Sequence, residues 1–322
     1  MDLPGRGPSG IATPRGPRRP SSWSLTDPMR GLRSPSPYLL LALASLFWAG
    51  NWVVGRGMRA SVPPLALSFW RWVLALGLIL PLAWPHLRQD WPKLAAGWPW
   101  LVAFGLLGTA CYNALAYIGL QYTTVTNGLL LNSFIPVAIV GMGWAFQGKR
   151  LRPIEGCAIA LSLLGVVTII ARGDPAVLAS LRLNLGDLWI LVSVLAWAVY
   201  TLLLPHRPPV HALSFLAAIA VVGLVGLAPA YAWELARHRT LHLDLPALAA
   251  IAYTGVFPAF LGFVFWNRGV EQVGPARAGL FLHLMPAFGI LLSIAFLGER
   301  PEPYHGVGIA LIFGGIWLNM RK

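Results

Sequence analysis

The 322-residue chain is 57% hydrophobic and only 11% charged, with a mean hydropathy of +0.66, whereas a soluble domain carries roughly 25% charged residues. A soluble globular protein is thereby excluded. The net charge of +13 comes from basic residues placed between apolar stretches, not from a basic face with interleaved aromatics, so it reads as membrane-loop charge and not as a nucleic-acid surface. The two cysteines, Cys111 and Cys157, each lie inside an apolar run, which leaves neither a disulfide framework nor a Cys-based zinc site.

Residues 1–36 are rich in Pro, Arg, Gly and Ser and predict a disordered cytoplasmic tail. No apolar segment of signal-peptide length precedes the first long helix, and Met29 is a candidate translation start. Ten apolar stretches long enough to cross about 30 Å of hydrocarbon follow. In the first half they run from Tyr38 to Met58, Pro64 to Trp84, Trp98 to Leu120, Val125 to Gln147 and Ile154 to Ala171. In the second half they run from Asp187 to Pro205, His211 to Trp233, Pro246 to Asn267, Ala276 to Leu297 and Tyr304 to Met320. Runs such as Leu39-Leu40-Leu41-Ala42-Leu43-Ala44 show no strand alternation, so the class is an all-α polytopic membrane protein. Basic residues divide about two to one in favour of the side holding both termini, which predicts a multi-pass protein of the cell membrane with both ends cytoplasmic.

Sliding the sequence by 150 residues aligns Gly105 with Gly255, Gly119 with Gly269, Pro136 with Pro286, Pro153 with Pro303, Gly156 with Gly306 and Gly165 with Gly315. Ile159-Ala160-Leu161 likewise meets Ile309-Ala310-Leu311. Aligned Gly and Pro are not a by-product of Ala/Leu-rich composition. Two units, 37–172 and 185–321, are predicted, and five crossings each force the second to enter the membrane from the opposite side. Such inverted repeats place substrate at their interface in many secondary transporters.

With these features the chain resembles the EamA-type members of the drug/metabolite transporter superfamily. The resemblance rests on Ser45-Leu46-Phe47-Trp48-Ala49-Gly50-Asn51, on Phe69-Trp70-Arg71, and on Pro286 through Phe296-Leu297-Gly298-Glu299-Arg300. It implies ten helices as two inverted five-helix repeats, cytoplasmic termini, and transport of a small metabolite, usually export, through a central cavity. Where the family commonly repeats Gly-Glu-Arg after the fourth helix, this chain has Gly148-Lys149-Arg150.

Candidate cavity residues are polar or aromatic groups inside spans. Trp48, Asn51 and Trp52 share one helix, with the two tryptophans four apart on one face. Arg71 is the basic residue well inside a first-half span, costly there and suited to a carboxylate. Asn113, Tyr117 and Asn132 add neutral hydrogen-bonding groups, and Tyr200, Trp266, Asn267 and His283 do so in the second half. Pro136 and Pro286 predict helix kinks. No carboxylate falls near a predicted midplane, so proton coupling would rest on His283 or on Glu271 at a cavity mouth; Glu299 pairs most simply with Arg300. Small residues at four-residue spacing, Gly156 with Ala160 and Gly306 with Ala310 and Gly314, predict close packing, within the chain or between copies in a homodimer.

The expected partners are a small-molecule substrate and the lipid bilayer, with no cofactor, metal or nucleic acid. A flippase or scramblase of the same fold, acting on a lipid or lipid-linked substrate, is the nearer alternative. An intramembrane enzyme would need a nucleophile and base or a metal cluster, and no HExxH, GxSxG or Walker A pattern occurs.

Overall fold

The computed structural model describes residues 35–149, 152–179, 184–238, 240–297, 300 and 302–320. The tail with Met29, and the Glu299–Arg300 pairing, therefore lie outside the described residues. Among the described residues ten long helices follow in order, besides a short one at Pro175–Ala179 between the halves: α1 (Pro37–Gly57), α2 (Pro64–Ala96), α3 (Trp98–Tyr122), α4 (Val125–Asn132 and Ile135–Gln147) and α5 (Pro153–Ile170) form the first half. The second half holds α6 (Leu185–Leu203), α7 (Ala212–Ala236), α8 (Leu245–Val273), α9 (Pro275–Leu280, a 3-10 turn Phe281–His283, then Leu284–Leu297) and α10 (Pro303–Met320). Among the described residues, nine helices are long and apolar enough to span a membrane. The tenth, α10, has 18 residues with Tyr304, His305 and Asn319 at its ends.

Many of the starts are written in the sequence. Proline opens the first turn of α1, α2, α5, α8 and α9, where its missing N–H costs nothing and its φ is already helical. Thr124, Asn184 and Asp244 cap α4, α6 and α8 by accepting from first-turn amides. Two ends depart most from expectation: α2 runs on past Trp84 to Ala96, through Pro85 and Pro92, and α8 runs on past Asn267 to Val273.

The halves interlock. Gly269 of α8 lies where a Cβ would sit 2.5 Å from Leu41 of α1, and its mate Gly119 of α3 lies where a Cβ would sit 2.6 Å from Ile190 of α6. Each half thus lends its first helix to the third helix of the other. The pairs α2–α7 and α5–α10 are antiparallel, as an inverted repeat requires. In α5–α10 a Cβ on Gly165 would lie 2.5 Å from the Gly308 carbonyl, and one on Gly315 would lie 2.6 Å from the Ala158 carbonyl. This corrects the predicted stripe: Ala160, Gly306 and Ala310 are exposed, and the packed face is Ala158, Ser162 and Gly165 against Gly308, Ile312 and Gly315.

The α2–α7 pair is fastened at both ends. At one end the buried Glu234 carboxylate of α7 accepts from the Leu65 and Ala66 amides of α2, at 3.2 and 2.7 Å. At the other the buried Asp90 carboxylate of α2 accepts from the His211 amide at the start of α7, 3.0 Å away. Each helix C-terminal region caps the N-terminus of its partner, satisfying amides that have no intrahelical acceptor and placing negative charge at the positive end of a dipole. Neither carboxylate stands out in the sequence.

Irregular turns recur at equivalent positions. A π-helical turn Gly105–Cys111 interrupts α3, and its counterpart Gly255–Leu261 interrupts α8. The α4 helix breaks at Ser133–Phe134 and α9 at Phe281–His283. The breaks stand just before Pro136 and Pro286 and not at them; Pro136 sits in the first turn of the resumed helix. Paired discontinuous helices of this kind mark the binding region in transporters built from repeats.

Candidate functional site

The centre of the bundle is polar on one side and aromatic on the other. On α2, Arg71 is fully buried. Its Nη1 donates to Asn51 Oδ1 at 2.9 Å, to Asn113 Oδ1 at 3.1 Å and to the Tyr117 hydroxyl at 2.9 Å. Tyr117 donates in turn to Asn51 Oδ1 at 2.6 Å, and Asn51 Nδ2 donates to Asn113 Oδ1 at 3.3 Å. Four of the predicted residues, from α1, α2 and α3, therefore form one network. Asn113 and Tyr117, four apart, share a helix face as expected.

The second half repeats part of this with the residue types exchanged. Tyr200 of α6 donates to Asn267 Oδ1 of α8 at 2.8 Å, in the place where α1 and α3 supply Asn51 and Tyr117. The cation has no such mate. Gly255 of α8 approaches the Arg71 carbonyl just as Gly105 of α3 approaches the Ile219 carbonyl, with Cβ distances of 3.0 and 2.9 Å. Ile219 is thus the counterpart of Arg71, and α7 contains no basic residue.

Beside the network stands an aromatic cluster. Trp48 meets Trp197 at 5.0 Å and Trp266 at 5.3 Å between ring centroids. Trp197 meets Tyr112 at 4.7 Å and Tyr200 at 5.0 Å. The Trp48 Nε1–H donates to the Pro258 carbonyl at 3.1 Å, inside the π-helical turn of α8. Trp52, though on the same face of α1, packs toward Gly128 of α4. Asn132 accepts from Tyr112 at 2.9 Å, one position along α3 from the Arg71 network.

His283 joins the two breaks. Its Nε2 lies 2.8 Å from the Ser133 carbonyl and its Nδ1 lies 2.6 Å from Ser162 Oγ. A carbonyl only accepts, so Nε2 carries the proton and Nδ1 of the neutral ring accepts from the Ser162 hydroxyl. The helix breaks at Ser133–Phe134, and among the described turns and caps no backbone amide donates to the Ser133 carbonyl. Replacing His283 by leucine is expected to cost roughly 2 kcal/mol, because the Ser133 carbonyl is left buried and unpaired. Thermal unfolding of the purified variant checks this, and an unchanged midpoint would refute the bracing role. Glu271, by contrast, is a rim residue paired with Arg207 at 3.0 Å.

Both faces of the bundle carry cavities with cations in their walls. Where α1 begins and α10 ends, a cavity of about 450 Å³ is lined by Lys149, Arg152, Arg277, Glu155 and Leu202 among others. On the opposite face one of about 380 Å³ is lined by Arg59, Pro64, Gln121, His238 and His242. Among the described residues no group of His, Cys, Asp and Glu is arranged to hold a metal ion. The acidic groups engage other partners: Asp187 accepts from Thr123 Oγ1 at 2.5 Å and from Asn127 Nδ2 at 3.3 Å, and Glu155 pairs with Arg152 at 3.2 Å.

Comparison with known proteins agrees with this architecture. The model of the EamA-like transporter family matches residues 35–171 and again 184–321. An uncharacterized transporter of Archaeoglobus fulgidus is 26% identical over 290 residues, covering 88% of this chain and 97% of its own. The uncharacterized transporter YyaM of Bacillus subtilis is 22% identical over 285 residues, covering 87% and 92%. A probable terminal-alkyne amino-acid exporter of Streptantibioticus cattleyicolor is 27% identical over 224 residues, covering 68% and 71%. A solved crystal structure shares the fold with a TM-score of 0.70 at 18% identity, covering 88% of this chain and 96% of that one. Ten helices in two matching halves, irregular at equivalent points, and a family model that fits each half make this chain a member of the EamA-like transporter family, a multi-pass membrane transporter and not an enzyme.

Proposed function

We propose that the protein exports a small amphipathic organic solute of the amino-acid kind across the cell membrane, by alternating access. The two halves rock about the central Asn51–Arg71–Tyr117 and Tyr200–Asn267 networks. The observation that carries this reading is that buried polar groups gather where the halves meet, beside helices interrupted at equivalent points in both. Inverted repeats with broken helices and a site at their interface are the working parts of many secondary transporters. The aromatic cluster supplies an apolar wall and the networks a few polar groups, the combination that holds a small amphipathic ligand.

Export and the amino-acid class draw support from the Streptantibioticus cattleyicolor relative, named for an amino-acid exporter. The excess of basic residues on the face where α1 begins and α10 ends supports a cytoplasmic position for that face. His283 suits proton coupling. An imidazolium can donate through Nδ1 to Ser162, whose hydroxyl then turns to the Ile159 carbonyl 3.1 Å away, so both protonation states are hydrogen-bonded without moving a heavy atom.

Liposomes containing the purified protein and a mixed pool of amino acids, organic acids, nucleosides and amines test the proposal. Intact solutes are expected to leave faster than from protein-free liposomes, with mass spectrometry naming the class. A pH gradient is expected to change the rate, and His283→Gln to remove that dependence. Chemically altered solutes, or no efflux under either direction of gradient, would overturn the transport reading.

A further inference from the structure

We propose that the transported solute is a carboxylate seated side-on against the Nε–Nη2 edge of Arg71, with Asn51, Asn113 and Tyr117 as positioning residues that hold the guanidinium by its other end. This rests on the transport reading and adds the chemical class of the ligand and the atoms that bind it.

A guanidinium is a planar fork, and its Nε–H and Nη2–H point parallel to one another, matching the two oxygens of a carboxylate. In this protein the three acceptors around Arg71 all converge on Nη1. Nε and Nη2, equally buried, have no acceptor. The network therefore fixes the rotation of the group while leaving the bidentate edge unused. Were the arginine only a structural bolt, its neighbours would be expected to cover that edge, since a buried unpaired donor costs about 1–3 kcal/mol and more when charged.

The charge points the same way. A guanidinium at this depth needs a counter-ion, and the buried carboxylates among the described residues are engaged elsewhere. Asp90 and Glu234 cap α7 and α2, and Asp187 is held by Thr123 and Asn127. Nearer the surface, Glu155 pairs with Arg152 and Glu271 with Arg207. Asn51, Asn113 and Tyr117 are neutral. The counter-charge is thus left for the ligand to bring.

The surroundings describe the rest of the ligand. Trp72 lies 5.9 Å from the guanidinium carbon and meets Phe263 at 4.9 Å, which in turn meets Trp197 at 5.4 Å. The indole N–H groups of Trp72, Trp197 and Trp266 are buried without acceptors as well. Apolar walls with a surplus of donors suit an anion bearing an apolar or aromatic tail. The cations lining both outer cavities, Lys149 and Arg277 on one face and Arg59 on the other, raise the local concentration of anions at either mouth. Because Ile219 occupies the equivalent place in the second half, there is one such seat per chain, off the pseudo-two-fold axis.

The test is ligand-induced thermal stabilisation of the purified full chain in detergent, with matched acid and amide pairs: phenylacetate with phenylacetamide, hexanoate with hexanamide, and phenylalanine as a zwitterion. The acids are expected to raise the unfolding midpoint in a saturable way, and the amides to require at least about tenfold higher concentration. Arg71→Gln should abolish the distinction. Arg71→Lys, which keeps the charge but lacks the fork, should weaken acid binding by about tenfold or more. Asn113→Asp supplies an internal counter-ion and so keeps the fold intact, and it should likewise weaken acid binding. Equal stabilisation by acids and amides, no stabilisation by any acid, or acid binding undiminished in Arg71→Gln and Asn113→Asp would overturn the proposal. If acids bind as described but no solute crosses in liposomes, the transport reading fails while the carboxylate seat stands. If neutral solutes alone cross, the carboxylate seat fails while the transport reading stands.

Discussion

Leucine at Gly165 is expected to unfold the protein at a markedly lower temperature, with a loss at or above the ~3 kcal/mol upper end usual for overpacked interiors. The reason is what the new side chain would meet. A Cβ at Gly165 would lie 2.5 Å from the Gly308 carbonyl oxygen and 2.9 Å from the Ile312 amide, and these are backbone atoms that cannot rotate aside. The α5 and α10 helices would have to separate, and with them the symmetric contact of Gly315 on Ala158 and Ser162. Gly306→Leu is the matched control, because a Cβ there meets nothing within 4 Å, and its effect should stay within about 0.5 kcal/mol. Heating the detergent-solubilised variants and following the monodisperse fraction by size-exclusion chromatography compares them. Equal losses for the two glycines would show that α5 and α10 do not pack through this face.

Glu234→Gln is expected to lower stability by about 1.5–3 kcal/mol, the range for hydrogen bonds to a charged group. The carboxylate serves two amides of α2, and glutamine would offer one oxygen to them while turning an NH2 toward the positive end of the helix. Asp90→Asn, which touches a single amide, should cost less. The two sites stand about 36 Å apart along α2 at 1.5 Å per residue, so the double variant should lose the sum within about 0.5 kcal/mol. Thermal unfolding of the three variants decides this. A loss in Glu234→Gln no larger than that of an exposed substitution would show that the amides of α2 do not depend on the carboxylate.

Which helix face packs is the part least legible in the sequence. In α5 and α10 both the lipid side and the protein side are apolar, so hydrophobic periodicity carries no information about orientation, and a small-residue spacing of four points to a row in which Ala160, Gly306 and Ala310 are exposed. The aligned Gly165 and Gly315 are visible as a repeat but not as a contact. Asp90 and Glu234 are silent for a different reason. Their partners are backbone amides at the start of a distant helix, and an amide has no residue type to notice.

The candidate site divides along the same line. That Asn51, Arg71, Asn113 and Tyr117 sit inside apolar spans is readable, because a polar group in hydrocarbon is expensive and stands out by composition. That they form one network across sequence separations of 20, 42 and 46 residues is not, since no helical period links α1, α2 and α3. The prolines announce that α4 and α9 are irregular. The fold sets the breaks just ahead of them and brings His283 onto the Ser133 carbonyl 150 residues away.

The membrane class, the ten helices and the duplication were legible in the chain alone, because the length of an apolar run and the spacing of Gly and Pro are local properties that the bilayer and the backbone read directly. Which faces meet, how each half embraces the first helix of the other, and that Arg71 is held by one nitrogen while its Nε–Nη2 edge is buried without an acceptor, emerge only from the assembled helices. Those are properties of helices brought together, and in a chain apolar on nearly every side the hydrophobic pattern could not say in advance how they would turn.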